Sequence, residues 1–169
     1  MDGNPDAKNH EGIPGTEAGV SMYHDTITLF NRKVEDRSKG SVWYPTVIKG
    51  VNLIIDRAAI VAQYGPETQD SAILNVRYTE KDGEILVAGK PWMPPKEWDK
   101  TEDSITFATG DKFDFFWAGE WTGGIVQDID YTNGFYPYMN NTHDYVFAIT
   151  SVSRLPGFGV LPHFEITGK

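Results

Sequence analysis

From Asp25 to Phe30 the chain alternates, with Asp25, Ile27 and Leu29 on one side and Thr26, Thr28 and Phe30 on the other. A period of two predicts a strand with one more apolar face, so ordered structure is expected to begin near Met22. The polar stretch 33–41 predicts a turn. Residues 46–56 carry Val and Ile on both sides, as a central strand would, and Gly50 within the run predicts a bulge or a close backbone approach. Ala58, Ala59, Ile60, Val61 and Ala62 break the alternation and suit a short helix over 57–64, stopped by Gly65-Pro66. Strand character resumes over 71–78. Asp82-Gly83 between two apolar runs predicts a hairpin turn, with 84–88 as the returning strand.

Pro91, Pro94 and Pro95 stand among Trp92, Met93 and Trp98, which predicts an ordered excursion over 90–104 rather than a central strand. Strands are expected at 105–108 and 112–117, divided by Gly110-Asp111, and again at 121–129. A second aromatic excursion, 131–142, holds Tyr131, Phe135, Tyr136 and Tyr138. Segments 145–153 and 160–167 flank Leu155-Pro156-Gly157-Phe158-Gly159 as a closing hairpin. Residues 1–19 hold four Gly, two Pro and only Met1 and Ile13 as large apolar groups, too little to offset the entropy of ordering. They are read as a flexible arm, and 20–169 as a single β-barrel-like domain. Seven to nine antiparallel strands, one or two short helices and long loops describe a mainly β fold, a small barrel or sandwich.

Composition agrees. Val and Ile number 25 and aromatics 22 in 169 residues, against 6 Leu and 10 Ala, which argues against a helical bundle. No apolar run reaches the length of a membrane span. The absence of Cys excludes a disulfide scaffold and a thiolate nucleophile, and suits synthesis in a reducing cytoplasm. The net charge is −9. Nine carboxylates against Lys100 and Lys112 fall between residues 97 and 130, so a surface built from that segment repels polyanions.

Candidate chemistry is sparse. Asp128-Ile129-Asp130 would put two carboxylates on one face of a strand, but without the ligand spacing of a calcium loop. A solvent-facing strand explains the pair without an ion. His10, His24, His143 and His163 have no zinc-like spacing, and no glycine-rich phosphate cradle is present. Glu97, Asp114 and Glu120 beside tryptophans could serve a small hydrolase, yet such pairings are nearly inevitable in so acidic a segment. No catalytic residue, metal or cofactor is assigned. The loop aromatics Trp92, Trp98, Phe135, Tyr136 and Tyr138 suit a partner interface, lids on the chain's own barrel, or the sugar-stacking face of a carbohydrate-binding β-sandwich.

The opening Met22-Tyr23-His24-Asp25-Thr26-Ile27-Thr28-Leu29-Phe30-Asn31-Arg32 resembles the first strand of tailed-bacteriophage neck proteins, the head-completion or stopper (head–tail joining) family. Trp43-Tyr44-Pro45 through Val51-Asn52-Leu53, Ser104-Ile105-Thr106-Phe107 with Gly110-Asp111, and the terminal strand pair follow that family's order. The resemblance spans about 22–169; the two aromatic loops and the arm are additions to it. It implies a structural virion protein, not an enzyme, made in the bacterial host cytoplasm and housed in the neck. Its implied partners are further copies of itself in a ring, the phage portal or adaptor, and tail proteins, with DNA as non-sticking cargo and no membrane. A tail terminator or another minor capsid protein is the nearest alternative. Asp99, Glu102, Asp103, Asp111, Asp128 and Asp130 are the candidates for facing the lumen.

Overall fold

A computed structural model of the chain describes residues 22–56, 70–157 and 159–169. The predicted arm (1–19), the predicted helix (57–64) and Phe158 lie outside the described residues. The frame is a long hairpin of β1 (Asp25–Asp36) and β2 (Gly40–Asp56). The two pair antiparallel out to Asp36↔Gly40, so the turn predicted over 33–41 shrinks to a tip at 37–39. Polar side chains do not prevent pairing here, because their cationic ends rest over aromatic rings. The Lys33 ammonium sits 4.7 Å from the Trp98 ring centroid, and the Arg32 guanidinium 4.8 Å from that of Phe113.

Gly50 is the bulge. Thr26 pairs with Lys49 and Asp25 with Val51, leaving Gly50 as the extra residue at φ +73°. One inserted residue reverses which side chains face inward. Thr46 and Ile48 are buried before it, Val51 is buried after it, and Leu53 and Ile55 follow the new parity. The two-sided apolar run therefore does not mark a strand sandwiched between layers. It is one inward face whose parity changes once, and Ile54 is left 51 % exposed.

Beyond the bulge β2 turns away from β1 and pairs with β3 (Ser71–Arg77). With β7 (Phe115–Trp117), β9 (Val146–Leu155) and β10 (His163–Gly168) these strands close a six-stranded antiparallel barrel in the order β1-β7-β9-β10-β3-β2 and back to β1. All six contribute to the interior, among them Ile27, Ile48, Leu74, Phe116, Phe147 and Phe164. A small barrel has room only for side chains, and this one is filled.

A separate small sheet, β4 (Thr79–Lys81), β5 (Glu84–Val87) and β6 (Lys90–Trp92), lies beside it. The turn predicted at Asp82-Gly83 is present, with both residues at positive φ as a type I′ turn requires. Pro91 falls on β6, an edge strand, where a missing donor is tolerated. The excursion then forms α1 (Pro95–Trp98) and returns through Ile105 and Phe107, which join the barrel core. The strand expected at 105–108 is a single bridge, Ile105 to Trp92, because side chains take over part of its ladder. Asn31 donates to the Thr106 carbonyl at 2.7 Å, and the Ala108 N–H donates to Asp114 at 2.9 Å.

The strand expected at 121–129 reduces to β8 (Val126–Gln127), paired with β2. The Trp121 N–H instead donates to the Thr28 hydroxyl, which in turn donates to the Gly119 carbonyl. The second aromatic excursion is a helix, α2 (Phe135–Thr142), with Phe135 and Met139 buried one turn apart. Pro137 falls in its first turn, where its N–H would have no helical partner in any case. This segment covers the outer face of β1 and β7, making a second core of Phe30, Trp43, Phe115, Val126, Phe135 and Met139.

Candidate functional site

At one end of the barrel the inward columns Ile27–Leu29 and Phe116 continue into two polar residues, Asn31 and Asp114, both almost fully buried. The Asp114 carboxylate accepts from the Asn31 amide, the Arg32 N–H and the Ala108 N–H, each at 2.9 Å. It thereby ties β1 to the returning lid segment. Burial pushes its carboxyl up to about 7 against the pull of those donors and of the Arg32 guanidinium. Arg32 is held between the Trp43 and Phe113 rings, 5.0 and 4.8 Å from their centroids, and burial lowers its pKa. The adjoining cavity, about 350 Å3, is lined by Lys96 and Asp99 rather than by Glu97 or Glu120. Glu97 is exposed on α1 and Glu120 pairs with Lys49 at 3.7 Å, so the three acids considered for hydrolysis stand on separate elements.

Asp128 corrects the strand reading of Asp128-Ile129-Asp130, which form a turn of 3-10 helix. Its half-buried carboxylate is engaged by β2 and the start of α2. Oδ1 accepts from the Trp43 indole N–H at 2.7 Å and from the Phe135 N–H at 2.9 Å, while Oδ2 accepts a longer 3.4 Å bond from Ser41 N–H. One side chain thus accepts from the first N–H of α2 and anchors the helix to β2. Asp128→Ala should lower the urea midpoint by an amount equivalent to about 2 kcal/mol, since buried donors are left unsatisfied. Asp128→Asn, which keeps one acceptor, should lose less; equal losses would contradict the bonding described. Asp99, Glu102, Asp103, Asp111 and Asp130 are exposed, as a solvent-facing role requires. They do not form one cluster: Glu102 and Asp103 line a cavity with Lys33, and Asp130 one beside Tyr131 and Tyr138.

The aromatic candidates divide in the same way. Trp98 is 5 % exposed, donating to the Ser104 carbonyl, and Phe135 is fully buried among Phe30, Phe115 and Trp121. Neither is available to a partner or to a sugar ring. The excursions fold back as covers because the apolar gain is realised within the chain. Trp92 packs on Phe164 in the barrel core, and Tyr136 against Phe113 and Phe115, each half-buried. Tyr138, 40 % exposed, alone among the five presents an open face.

The surface that sequence reasoning missed is the outside of β2, β3, β10 and β9. Strand register aligns two rows across all four strands. One is Ile54, Ile73, Thr167 and Ser151, the other Asn52, Asn75, Glu165 and Ser153. Seven of these eight residues are uncharged, and Ile54 and Ile73 are 51 % and 40 % exposed. Thr150 and Ser151 each bond to the Thr167 hydroxyl, and the Asn75 amide donates to Asn52. Alternation alone could not reveal these rows, because they depend on which strands become neighbours.

A family profile covers residues 22–169, the barrel together with its covers. The chain belongs to DUF6751, a family of unknown function. No curated protein and no solved structure matches it. The DUF6751 barrel thus has an outer surface of two kinds. Its β1–β7 side is covered by residues 118–142, whereas on the β3–β10 side the described residues provide no such cover. No three acidic or histidine side chains among the described residues of this DUF6751 chain converge as metal ligands. No helix among them is long and apolar enough to cross a membrane.

Proposed function

We propose that this chain is a structural, ring-forming subunit of a tailed-phage head–tail connector, of the stopper or head-completion kind, working without catalysis. The observation that carries the reading is the pair of nearly uncharged central rows on β2, β3, β10 and β9, bounded by Asp56 at one end and Arg77 at the other. In a chain with 23 % charged residues, eight aligned outward positions hold one charge, Glu165. Interface centres are depleted in charge. Side chains such as Ile, Thr and Ser lose little rotamer freedom on burial. The order of elements supports the same assignment, because the resemblance to neck proteins runs along the strands that close the barrel. A cyclic assembly joins two different patches on each subunit. The low-charge face is one of them. The exposed acids Asp99, Glu102, Asp103, Asp111 and Asp130 suit a conduit wall along which DNA slides without sticking. The portal or adaptor above and tail proteins below are the remaining partners.

Assembly tests the reading directly. Purified protein should form closed rings in negative-stain images and a multimeric mass in mass photometry. Ile73→Lys combined with Thr167→Lys should reduce both to single chains while circular dichroism stays unchanged. Duplex DNA should not bind in low salt. A wild-type protein that remains a single chain at high concentration would overturn the proposal.

A further inference from the structure

On the side of the barrel where β2 bulges, a groove of about 600 Å3 opens between Gly50, the end of β3 and the β5–β6 turn. Its floor is the apolar row Ile48, Val51 and Val76, and Leu161, 53 % exposed, stands at its edge. Lys49, Arg77 and Glu80 are also part of its lining. We propose that this groove receives Gly12-Ile13-Pro14-Gly15 from the N-terminal segment of a second copy of the chain, an assignment that rests on the ring reading above.

Three observations point to that occupant. The first is where the described chain begins. The Tyr23 ring lies 4.7 Å under the Arg77 guanidinium, and its carbonyl oxygen is 3.6 Å from where a Cβ on Gly50 would stand. The N-terminal segment therefore leaves from beside the groove. The second is length. Twenty-one residues precede Met22. Extended, they reach about 70 Å, several times the roughly 15 Å radius of gyration of a domain this size. A segment of that reach spans to a neighbour's groove. The third is chemistry. Ile13 is the only large aliphatic side chain between residues 2 and 19. The glycines beside it permit close approach, and Pro14 favours an extended backbone without offering an unpaired N–H. Glu11 and Glu17 flank the pair, in a stretch where Asp2, Asp6, Glu11 and Glu17 outnumber Lys8. They match Arg77 and Lys49, the latter in an exposed pair with Glu120, and Glu80 is the one acidic residue in the lining. A contact between unlike patches, one donated and one receiving, is also what a ring repeats around its axis.

The chain has no Cys, which makes a cross-linking test clean. Ile13→Cys protein bearing a mass tag is mixed with Leu161→Cys protein, oxidised, and separated on a non-reducing gel. Leu86→Cys serves as a second groove position should Leu161→Cys fold poorly. The expected product is a mixed disulfide of tagged and untagged chains, and Lys49→Glu should cut its yield severalfold. A chain carrying both Ile13→Cys and Leu161→Cys should give a ladder of linked copies. If that double variant instead yields only an internal disulfide, seen as a faster-moving single chain, a second copy is not the occupant. Absence of any cross-link at both groove positions removes the segment from the groove. Microscopy of wild-type protein separates the two readings. Rings without the cross-link overturn this assignment alone, whereas the mixed disulfide without rings retains the groove contact and ends the ring reading.

Discussion

Asp114→Ala should lower stability by about 4 kcal/mol, the largest loss expected from any polar replacement in this chain. The carboxylate is 1 % exposed and is the shared acceptor for the Asn31 amide and the N–H groups of Arg32 and Ala108. Truncation leaves three buried donors to find new partners, each worth roughly 1–3 kcal/mol when orphaned. A urea titration would show the shift as a lower midpoint at unchanged slope. A loss below about 1 kcal/mol would mean the hub does not hold the lid. Its protonation supplies an independent check. Burial raises the native carboxyl to about 7, whereas in the unfolded chain it titrates near the usual 3.8. Between those values the folded state keeps a proton that the unfolded state releases, so this group's contribution is fully present below pH 4 and lost as pH rises through 7. The stability difference between wild type and Asp114→Asn should therefore shift against wild type from pH 4 to pH 7.5. A difference independent of pH would contradict the raised value.

Phe135→Ala is expected to cost about 3–5 kcal/mol, as for other large-to-small changes at filled sites. Its ring lies within 5.2 Å of Phe30, 5.3 Å of Trp121 and 5.9 Å of Phe115, measured between centroids. The damage should be uneven. Amide exchange should accelerate first over α2 and β8, the elements sharing that second core, while β3 and β10 keep their protection. Phe135→Leu should recover part of the loss. Uniform acceleration across both cores would show that the outer cover and barrel unfold as one unit.

The barrel strands were legible because their signal is local. Alternation at 25–30, the contiguous Val- and Ile-rich run at 46–56, the β-rich run at 71–78 and the terminal hairpin are each read from neighbouring residues. The turn at Asp82-Gly83 was legible for the same reason, since a type I′ turn depends on the backbone freedom of two adjacent residues. The helix at 135–142 was hidden. Its apolar spacing is short, and its first N–H is held by Asp128, seven residues before Phe135 and outside the helix. The strands expected at 105–108 and 121–129 contracted because Asp114, Asn31 and Thr28 draw on backbone groups in or beside them. None of those three residues lies within the segment it alters.

Functional candidates divided along the same line. Trp98 and Phe135 have the residue types of an interaction surface, but the fold encloses both within the chain, and half-buried Asp128 is occupied by bonds to Trp43 and Phe135. The exposed acids carry no such ambiguity, since a carboxylate without buried partners stays in water. Composition and periodicity by themselves determined a β-rich chain, its main strand positions and the acidity of its central segment. Tertiary structure alone decided that six strands close on themselves, that Gly50 reverses the inward face of β2, and that Ile54, Ile73, Thr167 and Ser151 form one row. The physical reason is that periodicity reports which residues of one strand share a face, whereas closure, burial and a common surface depend on hydrogen-bonded neighbours far away in the chain.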